Sequence, residues 1–110
     1  MENQPLPMKN KLKLSRSIVS YDALSDIDET FNLGDETLLF SLKEDILQIE
    51  CEPLGLLVDV GWYPEFNPRG RFRIYVIQHG DWDQPLEEKT AKNLAQLFDA
   101  LTAIIERHAL

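Results

Sequence analysis

His79, Asp81 and Asp83 stand around Trp82 in one short stretch, and they are the best local cluster of titratable side chains in the chain. Such groups perform acid–base or metal chemistry only when they converge on one point. The chain has two histidines, and the second, His108, lies far along the sequence. Zinc needs three or four ligands at a recognisable spacing, and neither a Cys/His pair nor an HExxH pattern is present. Two carboxylates two positions apart in a loop more often hold a turn or cap a helix. The expectation is no metal, no cofactor and no catalytic residue. A small enzyme using His79, Asp81 and Asp83 is the least favoured alternative.

Nucleophilic catalysis has less to draw on. Cys51, the single cysteine, is flanked by Glu50 and Glu52, an electronegative setting where a reactive thiolate needs an electropositive one. It reads instead as a small apolar core residue. No G-x-S-x-G elbow, P-loop or G-x-G-x-x-G occurs. Arg69, Arg71 and Arg73, with Phe72 and Tyr75, have the residue types of a nucleic-acid patch. Three arginines in an acidic chain are a weak counterion-releasing surface, so nucleic acid is not expected. The arginines read better as cross-strand partners of Asp59 or Glu65.

The formal net charge is −8, and its placement is more informative than its size. Residues 22–52 hold ten carboxylates against the one cation Lys43, a net −9, whereas residues 1–21 are net +3. A clustered negative field steers a basic protein partner and repels an acidic membrane surface. Acidity also serves solubility alone, and that plainer reading stands beside the first.

Several elements must position these residues. Leu56, Val58, Val60 and Trp62 alternate with Leu57, Asp59, Gly61 and Tyr63; Phe72, Ile74 and Val76 alternate with Arg71, Arg73, Tyr75 and Ile77. This period of two predicts a hairpin, with Tyr63 to Gly70 as its proline- and glycine-marked loop. A first hairpin is expected from Thr37–Leu42 and Ile46–Glu52 about the polar turn Lys43–Asp45, although residues 35–43 also fit a short helix. Tyr21, Leu24, Ile27 and Phe31 have helical spacing, with Ser20 as N-cap and Asn32-Leu33-Gly34 as the stop. A strand is expected near residues 11–18. Leu94, Leu97, Phe98, Leu101, Ile104, Ile105 and His108 form one stripe of a long helix over Thr90–His108. Leu86–Lys89 are expected to add its first turn, with Asp83 as a possible cap.

The fold class expected is α+β: an antiparallel sheet of about four or five strands in two hairpins, packed against a long C-terminal helix, with a short N-terminal helix. At 110 residues the chain is expected to be one domain, with residues 1–14 as a flexible lead-in. The lone cysteine precludes an intrachain disulfide and points to a reducing compartment, the cytoplasm. No apolar run approaches the ~20 residues that span a bilayer, and the basic N-terminus has no apolar core for secretion.

The run from Val58 to Trp82, VDVGWYPEFNPRGRFRIYVIQHGDW, followed by a polar linker and one terminal helix, resembles immunity proteins of bacterial contact-dependent growth inhibition and related polymorphic-toxin systems. The likeness covers about residues 56–109 and rests on a V-G-W-Y-P hairpin, a D-W loop and the helix. It implies binding and neutralisation of a cognate toxin domain, often a basic nuclease, in the cytoplasm, with no catalytic residue of the chain's own. The expected partner-binding residues are Asp22, Asp26, Asp28, Glu29, Asp35, Glu36, Glu44 and Asp45, with Asp81 and Trp82 bordering the surface. A monomer is favoured. The alternative is a small acidic chaperone of the type III secretion kind, acting as a homodimer through an exposed strand edge or the helix stripe.

Overall fold

The computed structural model of the chain describes residues 12–23 and 43–110. Its elements are β1 (Ile18–Asp22), β2 (Leu47–Cys51), a 3₁₀ turn (Glu52–Leu54), β3 (Leu56–Tyr63), β4 (Arg71–Gln78), β5 (Glu87–Ala91) and α1 (Leu94–His108). The strands form one antiparallel sheet whose spatial order, β1-β2-β3-β4-β5, is also their chain order. With α1 on one face, this is the expected α+β architecture.

The central hairpin pairs Leu56 with Gln78 through Tyr63 with Arg71, and this register puts the two expected apolar alternations on one face. Val58, Val60, Trp62, Phe72, Ile74 and Val76 are buried on the helix side. They meet Leu97, Leu101, Ile104 and Ile105 of α1 in one core that also holds Cys51. Trp62 and Phe72 meet edge-to-face with ring centroids 4.9 Å apart. The Trp62 indole N–H donates to the Asn67 carbonyl at 2.7 Å, so the largest core side chain also anchors the hairpin loop.

Four local expectations are corrected. Residues 86–89 do not start the helix: Glu87–Ala91 is an edge strand paired with β4, and Leu86 N–H donates to the Val76 carbonyl. The helix begins at Leu94. Asn93, not Asp83, is its N-cap, with its Oδ1 accepting from the Gln96 N–H while Gln96 Oε1 accepts from the Lys92 N–H. The Asn93 bond satisfies an N–H that a bare helix start leaves open, and the Lys92 bond ties the residue before the cap to the first turn. Ser20 is no helix cap, since Ser20 and Tyr21 lie in β1 and the Ser20 hydroxyl donates to the Gln48 carbonyl at the β1 bulge. That strand begins at Ile18 rather than spanning residues 11–18. Of the helix expected over Tyr21–Phe31, Tyr21 and Asp22 lie in β1 instead, and residues 24–31 lie outside the described residues. So do the strand expected over 37–42 and residues 1–11 of the lead-in expected over 1–14, of which Leu12 is buried in the core. Among the described residues β2 pairs with β1 on its outer side.

α1 ends in a Schellman-type turn. Ala109 adopts φ 54°, its N–H donates to Glu106 O, and the Leu110 N–H donates to Ile105 O. Arg16 then covers this end: its side chain donates to the Ala109 and His108 carbonyls, and the Ser15 and Arg16 N–H groups donate to Leu110 O. A cation at a helix C-terminus complements the dipole there. At the other side of α1, Glu87 Oε2 lies 2.6 Å from His108 Nε2, and Arg107 reaches Glu87 Oε1 at 2.7 Å. Edge strand and helix end are thus fastened together.

Candidate functional site: the outer face of the sheet

The sheet face opposite α1 collects the polar half of every alternation. Registered residues of an antiparallel sheet share a face, so successive pairings define rows across all the strands. One row runs Tyr21, Gln48, Asp59, Tyr75, Glu88 from β1 to β5. A neighbouring row runs Ile18, Glu50, Leu57, Ile77. On the other side lie Gly61, Arg73 and Thr90, then Tyr63 opposite Arg71. The β4–β5 loop adds Trp82, whose ring meets Tyr75 with centroids 6.4 Å apart. Tyr21 and Trp82 are 42% and 51% exposed, large values for aromatic side chains.

Asp59 is the exception on this face. It is 3% exposed, the one charged residue buried among the described residues. Its hydrogen bond comes from Gln48 Nε2 to Oδ1, at 3.0 Å. Burial pushes its carboxyl above the usual aspartate range, the Gln48 bond offsets part of this, and the nearby Asp45 charge pushes it further up. Tyr63 is pushed up as well, first by burial and then by Asp59 and Glu44. These shifts describe a negative, partly dehydrated patch.

Glu44 and Asp45 reach this patch because the chain entering β2 crosses close over Gly61. Trp62 N–H donates to the Lys43 carbonyl and Ile46 N–H to the Val60 carbonyl, and any Cβ at position 61 would strike the Glu44 carbonyl. Glycine is required there by the close approach of two backbones. Arg73 does not pair with Asp59 or Glu65, as had been expected. Its guanidinium lies 5.7 Å from the Tyr63 ring centroid and 3.9 Å from Glu88, leaving Asp59 to Gln48. The β4 register carries Arg73 opposite Gly61 and toward β5 instead.

Of the expected partner-binding residues, Glu44 and Asp45 lie exposed beside the patch, and Asp81 and Trp82 lie exposed in the β4–β5 loop. Asp22 pairs with Leu47, so its register falls on the core-facing parity rather than in the outer rows. Asp26, Asp28, Glu29, Asp35 and Glu36 lie outside the described residues. The catalytic alternative finds its three groups exposed: the His79 ring packs on Gly55 while Asp81 N–H closes a turn to the Gln78 carbonyl. Among the described residues no group of three or more His, Cys, Asp or Glu could hold a metal ion, and no helix is long and apolar enough to cross a membrane.

Sequence reasoning missed Gln48, Glu50 and Glu52 as site residues and did not foresee that Asp59 is buried. The alternation of β3 places Asp59 on the outer face. Its surroundings, with Gln48 bonded to it from β2 and Tyr75 opposite it on β4, are set by strand pairing, which no local pattern reveals. No protein-family model, no curated protein and no solved structure matches the chain.

Proposed function

We propose that the protein is an immunity-type inhibitor that binds a cognate basic toxin domain, a nuclease being the class best suited, and neutralises it by covering its cationic surface. The observation that carries this reading is the outer face itself: Asp59, Glu44 and Asp45 set among Tyr21, Tyr63, Tyr75 and Trp82. Rigid aromatic side chains supply most of the contact energy in protein interfaces. A negative field around them speeds encounter with a basic partner and competes for groups that would otherwise hold phosphate. The −9 charge of residues 22–52 adds to that field.

The test is the association rate with the toxin domain encoded beside this chain. Tight binding is expected, and Glu44→Lys with Asp45→Lys should slow association by about tenfold or more at low salt. Raising the ionic strength from about 0.05 to 0.5 M should slow the unmodified protein similarly, by screening. No binding to that domain would end the proposal, and binding insensitive to salt and charge reversal would end its electrostatic basis. The homodimeric chaperone reading has one observation in its favour, Ile18 standing 66% exposed on edge strand β1. Light scattering decides it: a monomer at micromolar concentration removes it.

A further inference from the structure

The second row of the outer face ends in a groove. Ile18, Leu57 and Ile77 give it an apolar lining, Glu50 and Glu52 lie along it, and its volume is about 590 Å³. Two tight turns shape one end. Gly55, at φ 63°, ends the 3₁₀ turn, with its N–H bonded to the Glu52 carbonyl and its own carbonyl accepting from His79 N–H at 2.8 Å. His79 and Gly80 follow at φ 54° and 71°. A side chain at Gly55 would collide with the His79 ring, whereas a Cβ at Gly80 would meet nothing within 4 Å. The turn is therefore fixed on the His79 side and open on the Gly80 side.

The charges around the groove are unequal in availability. Arg16 also lines it, but its guanidinium is committed to the Ala109 and His108 carbonyls. Glu50 and Glu52 are exposed and make no ion pair among the described residues. An apolar lining with accessible carboxylates is the complement of a side chain with an aliphatic stem and a cationic head. Resting on the reading above that a basic protein meets this face, we infer that the groove receives an arginine or lysine side chain of that partner. Its stem lies along Ile18 and Leu57, over a floor that the buried Ile77 completes, and its head pairs with Glu50 and Glu52. This contact ties the partner's register to the sheet, because the groove lies one row away from Asp59.

The probe is a set of blocked tripeptides, acetyl-Gly-Xaa-Gly-amide, with Xaa arginine, lysine, citrulline, norleucine or glutamate. They are titrated into the full chain while the Leu57 and Ile77 methyl resonances are followed. Arginine and lysine should shift these methyls with millimolar affinity, and citrulline and norleucine should bind more weakly by up to about fivefold, as expected when an accessible ion pair contributes up to ~1 kcal/mol. Glu50→Gln with Glu52→Gln should erase the preference for charge without altering the dispersed spectrum. Ile18→Arg, at an exposed position, should supply a cation from the chain itself and weaken the peptides. Equal binding of norleucine, or shifts confined to other residues, overturns the inference. The toxin domain separates the two ideas. Loss of affinity with Glu44→Lys and Asp45→Lys but none with the Gln pair overturns the groove and leaves the inhibitor reading. Arginine peptides seated in the groove with no toxin binding do the reverse. A second copy of the chain as occupant would appear as concentration-dependent shifts without peptide, and would also overturn the inference.

Discussion

Asp59 and Glu87 are two partly or fully buried carboxylates with opposite consequences for stability. Burial and Asp45 hold Asp59 above its ordinary pKa of 3.8 in the folded chain. A raised acid contributes stability that is fully present below the unfolded value and is lost as pH rises through the folded one. Asp59→Asn, which keeps the shape and an acceptor for Gln48, should therefore raise the denaturation temperature at pH 7 by a few degrees. The difference should vanish below about pH 3.8. A destabilised Asn variant at neutral pH would mean that the carboxylate gains more in the folded state than it loses. Glu87 behaves inversely. Its modest burial pushes upward, but the hydrogen bonds and charges of His108 and Arg107 outweigh this and leave it below its ordinary 4.5. Its contribution is present above that value and fades as pH falls through the folded pKa. Glu87→Gln should lower stability at pH 7 by about 1 kcal/mol, the Arg107 partner being half exposed. The two proteins should converge in acid. Urea unfolding at several pH values checks both signs.

The elements show where sequence periodicity carries an assignment and where it fails. The central hairpin and the stripe of α1 were legible because each buries one whole face, and burial imposes a period. β5 was not legible. Its sequence, Glu87-Glu88-Lys89-Thr90-Ala91, has few apolar residues to alternate, and charged edges are what keep a sheet from pairing with other chains. β1 escaped for a related reason: a bulge between Val19 and Tyr21 shifts its register, so Ile18 and Tyr21, three apart, share the outer face and no period of two is visible. The helix cap was present in the sequence as Asn93 with Gln96 three residues on, a capping signature outcompeted by the acidic residues upstream. At the other end, Ala109 occupies the left-handed position that glycine fills without strain. Ala109→Gly should stabilise the chain by about 0.5–1 kcal/mol, the relief of the Cβ clash exceeding the entropy added to the unfolded chain. An unshifted midpoint at constant m-value would show the strain to be absorbed elsewhere.

At the scale of the molecule, the fold class was readable from the chain because antiparallel hairpins and one amphipathic helix admit few arrangements. The candidate site was readable only in part. Acidity pointed to Glu44 and Asp45 and alternation to Tyr63 and Tyr75, whereas Tyr21 was expected in a helix and lies in β1. The rows that unite them required the register of all the strands, a property of pairing rather than of any single segment. On the reading proposed above, partner choice sits on those rows, where Asp59 and the groove are separated by one step along each strand.

The sheet order has a kinetic consequence. Each described strand lies beside the next described strand in sequence, and β2–β3, β3–β4 and β4–β5 close over short loops, whereas residues 23–46 separate β1 from β2 in sequence. Closing a loop costs entropy that grows with its length, and among the short junctions β3 with β4 gains the longest ladder on closing, so assembly should propagate outward from that hairpin. The chain must also bring Arg16 to Ala109 and Ser15 to Leu110, contacts across nearly its whole described length. During refolding, pulsed hydrogen exchange should show the β3 and β4 amides protected first and those of Ser15 and Arg16 last. Simultaneous protection would instead place that distant closure inside the nucleus. A chain laid down like a folded ribbon, then clasped at its ends, begins in the middle.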